Sequence, residues 1–353
     1  MKGVFLLMKY HPGRLCVKGL CGIPVILFFS LACLALLSWS GTETFAAGEG
    51  AAKSQKATEK KKTPVKPRAA KAQKPANSIQ AKAAYCVDLH EKKPIVSRNA
   101  DKRLPVASLT KLVTALVVLD RMPGQRMVTV PEHIKKIPKS VVGLKPGDRV
   151  AVRDLLHGLL ISSGNDCAET LACAYPGGRK AFISAMNLKA RSLGAKHTVF
   201  YNPSGLDIRV PGSGKDEKSE HVRSNVSTAR EMAIIARTAF SNKTIKQICA
   251  KKSYVMHSSL NGRGYRIRTT NRLLKDNLPV VGGKTGYTAR AGHCLASAFT
   301  PGGRVFLIVV LGSPDHFHDT RLIYRKALRD TEKSRDAARQ RTKQPRVALY
   351  PGH

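Results

Sequence analysis

Two serines and two lysines, held in three short motifs, carry the chemistry this sequence offers: Ser108-Leu-Thr-Lys111, Ser163-Gly164-Asn165 and Lys284-Thr285-Gly286. A serine hydroxyl is a weak nucleophile until a neighbour takes its proton. Lys111, three positions after Ser108, lies about one helical turn away, so both side chains project from one helix face. Lys111 accepts that proton only as a neutral amine, which requires its pKa to fall well below the ordinary ~10.4. Burial would disfavour the ammonium, and Lys284 brought nearby would act in the same direction by like-charge repulsion. The Ser163 hydroxyl could relay a proton, and the Asn165 amide could hold Lys111 or a carbonyl. A helix N-terminus at Ser108 adds partial positive charge where an oxyanion develops. The set describes acyl transfer through a serine ester.

Each motif alone is ordinary. Ser-x-x-Lys arises by chance about once or twice in a chain of this length. Ser, Gly and Asn are common in turns and helix caps, and an isolated strand lysine is usually solvated. Their joint presence carries the reading. Gly286 within a β-type run marks a close approach by backbone or ligand. An edge strand there could add main-chain hydrogen bonds to an extended peptide, with Lys284 and Thr285 meeting its carboxylate.

Positioning these groups requires both ends of the core and its middle. Ala83–Leu89 and Pro94–Arg98 read as a strand hairpin; Val280–Tyr287, Gly292–Thr300 and Arg304–Gly312 are three further β-type runs, the last two joined by Pro301-Gly-Gly303. Between them, Leu109–Leu119, Val152–Leu160, Asp166–Tyr175, Arg179–Leu193 and Thr228–Ser241 show apolar spacing near 3.6 residues, with Ser227 as N-cap of the last. The expectation is an α+β domain over 78–329: a five-stranded antiparallel sheet flanked by helices, with an inserted, mainly helical region.

Lys2, Lys9, Arg14 and Lys18 precede an uncharged, largely apolar run from Gly19 to Gly41, which reads as an export leader, either cut after Ala46 or retained as a membrane anchor. Residues 1–47 form that segment in this reading, and 48–77 a disordered Lys/Ala/Pro-rich linker. Ten Lys or Arg stand against the single Glu59 between Ala51 and Ala83. A basic tail follows from 330 to 353, and Tyr324–Arg339 could form a charged helix leading into it. The formal net charge is +38. For an exported chain such an excess points to anionic envelope or membrane surfaces, not to nucleic acid. Of eight cysteines, three lie in the leader; Cys86, Cys167, Cys173, Cys249 and Cys294 are an odd number with no CxxC, best read as small buried residues, with one bridge open. No zinc or phosphate-loop spacing is present, so neither metal nor cofactor is expected.

The three motifs in this order resemble those of penicillin-binding proteins and serine β-lactamases. Ala107-Ser-Leu-Thr-Lys-Leu-Val-Thr-Ala-Leu116, Asn202-Pro-Ser-Gly-Leu206, Ser227-Thr-Ala-Arg-Glu-Met-Ala233 and Gly283-Lys-Thr-Gly-Tyr-Thr288 are similar to the low-molecular-mass D-alanyl-D-alanine carboxypeptidases. Tyr175-Pro-Gly-Gly178, Phe182-Ile-Ser-Ala-Met-Asn187, Asn225–Arg230 and Ala291-Gly-His-Cys-Leu295 look more like the D-alanyl-D-alanine endopeptidase branch, which lacks a trailing β-rich domain. The segment Ile208–Ser224 is longer than that branch usually has.

The resemblance implies a β-lactamase/transpeptidase-like fold and a peptidoglycan D-alanine peptide as substrate. Ser108 is implied as nucleophile, Lys111 as base, and Ser163 and Asn165 as relay and positioning groups. Lys284, Thr285, Gly286 and Tyr287 would bind substrate, the backbone N–H groups of Ser108 and Tyr287 forming the oxyanion hole. β-Lactams would inhibit covalently. Two other readings stand beside it: a β-lactamase, against which no Glu-x-x-x-Asn occurs between Asn202 and Ser227, and a non-catalytic basic envelope-binding protein. Terminal alanine removal and cross-link cleavage use the same groups.

Overall fold

A computed structural model describes residues 78–138, 140–211, 220–260 and 262–343. The expected leader, the linker and the last ten residues lie outside the described residues.

Five strands form one antiparallel sheet: β1 (Ala83–Asp88), β2 (Pro94–Arg98), β3 (Val280–Thr288), β4 (Gly292–Phe299) and β5 (Phe306–Ser313). Their spatial order is β3-β4-β5-β1-β2, so the N-terminal hairpin pairs with the last strand and β3 stands at an edge. Ala83 faces Leu311 and Asp88 faces Phe306 across the β1–β5 ladder. Both faces of the sheet are covered, which explains why β5 is buried along its whole length rather than alternating. Leu307, Val309 and Leu311 point into the larger core with Tyr85 and Val87, whereas Phe306, Ile308 and Val310 join Phe299, Leu295 and Cys86 on the other face. The period-two geometry of a strand sorts consecutive apolar residues in this way.

That second face is closed by α7 (His316–Lys343), whose Phe317, Ile323, Tyr324 and Ala327 are buried against it. Phe299 and Tyr324 stack with ring centroids 4.5 Å apart. The helix runs without interruption past the expected limit at 329. On the first face lie α1 (Lys111–Arg121), α2 (Val152–Ile161), α3 (Asn165–Cys173), α4 (Gly178–Ser192), α5 (Ala229–Ser241) and α6 (Lys243–Cys249). Leu112, Val113, Leu116, Leu155, Leu159 and Phe182 fill their interface at essentially no exposure. Burying each such side chain contributes about 1.5–3 kcal/mol.

The apolar periodicities locate α1 to α5 to within three residues, and the structure adds what they do not contain. The cap of α5 is Thr228, whose Oγ1 accepts from the Glu231 N–H at 3.1 Å. Ser227, expected there, instead pairs its hydroxyl with Thr198 at 2.6 Å. Helix α6 and three small strand pairs, Met127–Thr129 with Arg149–Ala151, Ile208–Pro211 with Glu220–Arg223, and Ser253–His257 with Gly264–Arg268, carry too few residues to show a period. Cys86, Cys167, Cys249 and Cys294 are free and buried, and Cys173 is free and partly exposed. Among the described residues no helix is long and apolar enough to cross a membrane.

Candidate active site

The nucleophile candidate sits where the sheet edge meets the helices. A single 3-10 turn, Ala107–Thr110, runs directly into α1, carrying Ser108 to its start and Lys111 to its first position. Ala107 is held at φ +47°, in the left-handed region that costs a side-chain-bearing residue of order 1–3 kcal/mol. The surroundings enforce it: Thr110 Oγ1 donates to the Ala107 carbonyl at 2.8 Å, and Asn225 Nδ2 donates to Thr110 Oγ1 at 3.0 Å. Ser108 is left half-buried, open to a cavity of about 650 Å³ that is also lined by Ser163, Asn165, Thr285, Gly286 and Tyr287.

Lys111 is fully buried. Its Nζ lies 2.8 Å from Ser108 Oγ, 2.8 Å from Asn165 Oδ1 and 2.7 Å from the Ser204 carbonyl. Burial holds its pKa well below the ordinary lysine value, and the charge of Lys284 pushes the same way. Three oxygen acceptors oppose that shift by favouring the ammonium; complete exclusion from water dominates. Lys111 is therefore a candidate base whose lone pair would face the Ser108 hydroxyl.

Lys284 projects from β3 and is also buried. Its Nζ donates to Ser163 Oγ at 2.9 Å and to the Thr285 carbonyl at 2.8 Å, and burial lowers its pKa to about 7. Ser163 occupies the left-handed region at φ +64° in the short link between α2 and α3. That turn aims its hydroxyl at Lys284 while Asn165, two residues on, opens α3 and reaches Lys111. The three residues Ser163–Asn165 thus touch both lysines.

Close backbone approach explains the glycines. A Cβ on Gly286 would lie 2.9 Å from the Ser108 nitrogen, and one on Gly205 would lie 1.9 Å from the Ala107 carbonyl oxygen. Gly205 also has φ +86°, so both space and conformation select glycine there.

All eight residues singled out by the sequence are brought together. Others join them to which the sequence assigned no chemical role. Thr270 Oγ1 lies 2.6 Å from Thr285 Oγ1. Arg272 lines the cavity, its guanidinium 5.8 Å from the Phe317 ring centroid. His293 and His316 stack at 5.0 Å beside Tyr287, and burial with the neighbouring His293 lowers the His316 pKa to about 4. Asp166, fully buried, accepts from the backbone N–H groups of Val142, Gly143 and Leu144, and so pins the loop carrying Ser140 on the cavity wall. The Asn202–Leu206 motif has a geometric reason: its turn presents the Ser204 carbonyl to Lys111 and the Pro203 carbonyl to Thr114.

A family model described as D-alanyl-D-alanine carboxypeptidase matches residues 68–315. The chain belongs to that family. It is 30% identical over 239 residues to a Bacillus subtilis D-alanyl-D-alanine carboxypeptidase, a match covering 66% of this chain but 58% of the relative's length. An Escherichia coli D-alanyl-D-alanine endopeptidase is 34% identical over 247 residues, covering 68% of this chain and 75% of that one. Among solved structures, a Streptomyces DD-transpeptidase superposes with TM-score 0.63 at 30% identity, covering 71% of this chain and 98% of that chain. The family's α+β architecture is the one described above, with the motif residues at the junction of sheet and helices.

Proposed function

We propose that this chain is a serine peptidase that cleaves D-alanyl-D-alanine bonds in peptidoglycan stem peptides. The carrying observation is the shared cavity in which Ser108 Oγ meets Lys111 Nζ at 2.8 Å while Lys284 meets Ser163 on the opposite wall. Neutral Lys111 takes the Ser108 proton as Oγ attacks the penultimate D-alanine carbonyl. The backbone N–H groups of Ser108 and Tyr287 stabilise the oxyanion. As the C–N bond breaks, the departing amine receives a proton through Ser163, leaving an ester on Ser108. Water then attacks that ester along the same proton path and releases the shortened peptide. Asn165 holds Lys111, and Lys284, Thr285 and Gly286 bind the substrate strand, with Tyr287 over the leaving side. The names of the relatives include both carboxypeptidase and endopeptidase, and either bond fits these roles.

A β-lactam would acylate Ser108 by the same attack and leave slowly. Among the described residues lining the cavity the one carboxylate is Asp207, and it already accepts from Ser224 Oγ at 2.6 Å. No glutamate stands ready there to activate water for rapid release. The apolar leader supports export to the outer face of the cytoplasmic membrane or the periplasm, and the charge of +38 supports attraction of the basic ends to anionic envelope.

The test is incubation of the full chain with purified muropeptides, followed by mass spectrometry. Monomers shortened by one alanine, or cross-linked dimers split in two, are expected. Ser108→Ala removes both products and labelling by fluorescent penicillin. Cleavage that persists in Ser108→Ala, or hydrolysis of penicillin without an accumulating adduct, would refute the proposal.

A further inference from the structure

Beside the catalytic cavity lies a second cleft, of about 370 Å³, that shares Pro138 and Leu206 with it. His133 and Glu169 line this cleft, and Cys173 stands beside them, so that three metal-binding side chains converge from two elements. Glu169 and Cys173 stand four positions apart on one face of α3, and His133 comes from the 3-10 helix Glu132–Lys136. Their ligand atoms all lie within 4.8 Å of one another, with His133 Nε2 and Cys173 Sγ 3.8 Å apart. In a tetrahedral zinc site, bond lengths of about 2.0–2.3 Å place neighbouring donor atoms roughly 3.2–3.6 Å apart. The observed spacing is therefore a side-chain adjustment away from that geometry, and exposed His133 is free to make it.

We propose that His133, Glu169 and Cys173 bind a zinc ion, with solvent in the fourth position. The donor set of one thiolate, one imidazole and one carboxylate is borderline in softness, which suits zinc and not magnesium or calcium. Arg179 and Lys136 also line the cleft. Arg179 donates to both oxygens of Glu169, at 2.7 and 3.1 Å. Each carboxylate oxygen keeps a second lone pair, and a hydrogen-bonded carboxylate is a common outer support for a metal ligand. Glu169 is buried and cannot wander from this position. The ion enters past His133 and partly exposed Cys173.

Its role follows from what it would join. Asn165 opens the same helix that carries both α3 ligands. The chain leaving the His133 helix passes through Pro138 and Ser140, whose carbonyls accept from Asn165 Nδ2 at 3.4 Å and Asn165 N at 2.8 Å. Zinc would fasten this wall of the cavity to α3, a bracing function separate from bond cleavage.

The experiment strips the full chain with a chelator and titrates it with zinc and with cobalt(II). One equivalent should bind with sub-micromolar affinity, cobalt should give a thiolate-to-metal charge-transfer band with tetrahedral visible absorption, and zinc should raise the thermal midpoint. Cys173→Ser should abolish the band, and both Cys173→Ser and His133→Ala should weaken binding at least ~10-fold. Their circular dichroism and penicillin acylation without added metal should stay unchanged. Should a variant misfold, chemical protection of Cys173 from alkylation by zinc in the wild-type protein gives the same answer. Absence of the band in the wild type, or affinity surviving in both variants, overturns the site.

Discussion

Lys284→Met offers a sharp test of the electrostatics, because methionine keeps an unbranched side chain of similar length and removes only the titrating group. The pKa of Lys284 falls from 10.5 to about 7 on folding, and burial is the main cause. A depressed lysine pKa means that the unfolded chain binds the proton more tightly, so the folded state is penalised wherever that proton is bound. Below about pH 7 the penalty is complete, about 5 kcal/mol at 1.36 kcal/mol per unit. It shrinks as pH rises and vanishes near the unfolded value. Between about pH 6 and about pH 9 the wild type should therefore gain about 2–3 kcal/mol relative to Lys284→Met. The hydrogen bonds to Ser163 and the Thr285 carbonyl are lost at both pH values and cancel in the comparison. Relief of the repulsion felt by Lys111 adds to the effect with the same sign. Urea unfolding of both proteins at the two pH values, with midpoints and slopes compared, measures the difference. Parallel pH dependence of the two, within about 0.5 kcal/mol, would refute the burial argument.

Penicillin acylation of the wild type should speed up with rising pH as the buried base loses its proton; Lys284→Gln should move that rise to higher pH, since the charge of Lys284 helps hold the Lys111 pKa down. Stopped-flow labelling across pH reads both. Gly286→Ala should leave the fold intact and slow acylation at least ~100-fold, because the new methyl would meet the Ser108 nitrogen at 2.9 Å, where the oxyanion is to be held. Asp166→Ala should cost about 2–4 kcal/mol by stranding the three N–H groups of Val142, Gly143 and Leu144, seen as a lower thermal midpoint. Phe299→Ala should cost about 3–5 kcal/mol and loosen α7, detectable as faster amide exchange at Ile323 and Tyr324.

The sheet and the first five helices were legible because their signals are local and periodic. β3, β4 and β5 are β-type runs of eight or nine residues, with a Pro-Gly-Gly turn between the last two, where Gly302 and Gly303 adopt positive φ. The pairing of β1 with β5, more than 200 positions apart, was readable only because two strand-rich ends must bury their edges together. The eight motif residues were legible as types, and the resemblance supplied their grouping. What escaped was of another kind. Thr270, Arg272, His293 and His316 line the cavity as single residues from a loop, a 3-10 turn, a strand end and the start of α7, with no spacing to relate them. His133, Glu169 and Cys173 escaped too, because the fold and not the spacing brings His133 to the other two. Only two of these share a helix, and no zinc-type sequence spacing ties the third to them.

The site is also a place where the chain departs from its own best stability. Two lysines are buried, and Ala107 and Ser163, flanking residues of the first motif and head of the second, are held at left-handed φ. Each departure is over-determined by neighbours that do no chemistry. Thr110 and Asn225 fix the turn before Ser108, Asn202 Oδ1 gathers the N–H groups of Ser204 and Gly205, and Asp166 fixes the loop opposite. The buried amide and carboxylate groups thus serve the lysines indirectly: they present carbonyl oxygens at fixed points around an amine that has been stripped of water. An amine so placed is satisfied in either protonation state, donating to three oxygens when charged and retaining two of them when its lone pair turns to Ser108. That balance suits the proposed cycle, in which one nitrogen gives and takes a proton without reorganising the walls around it.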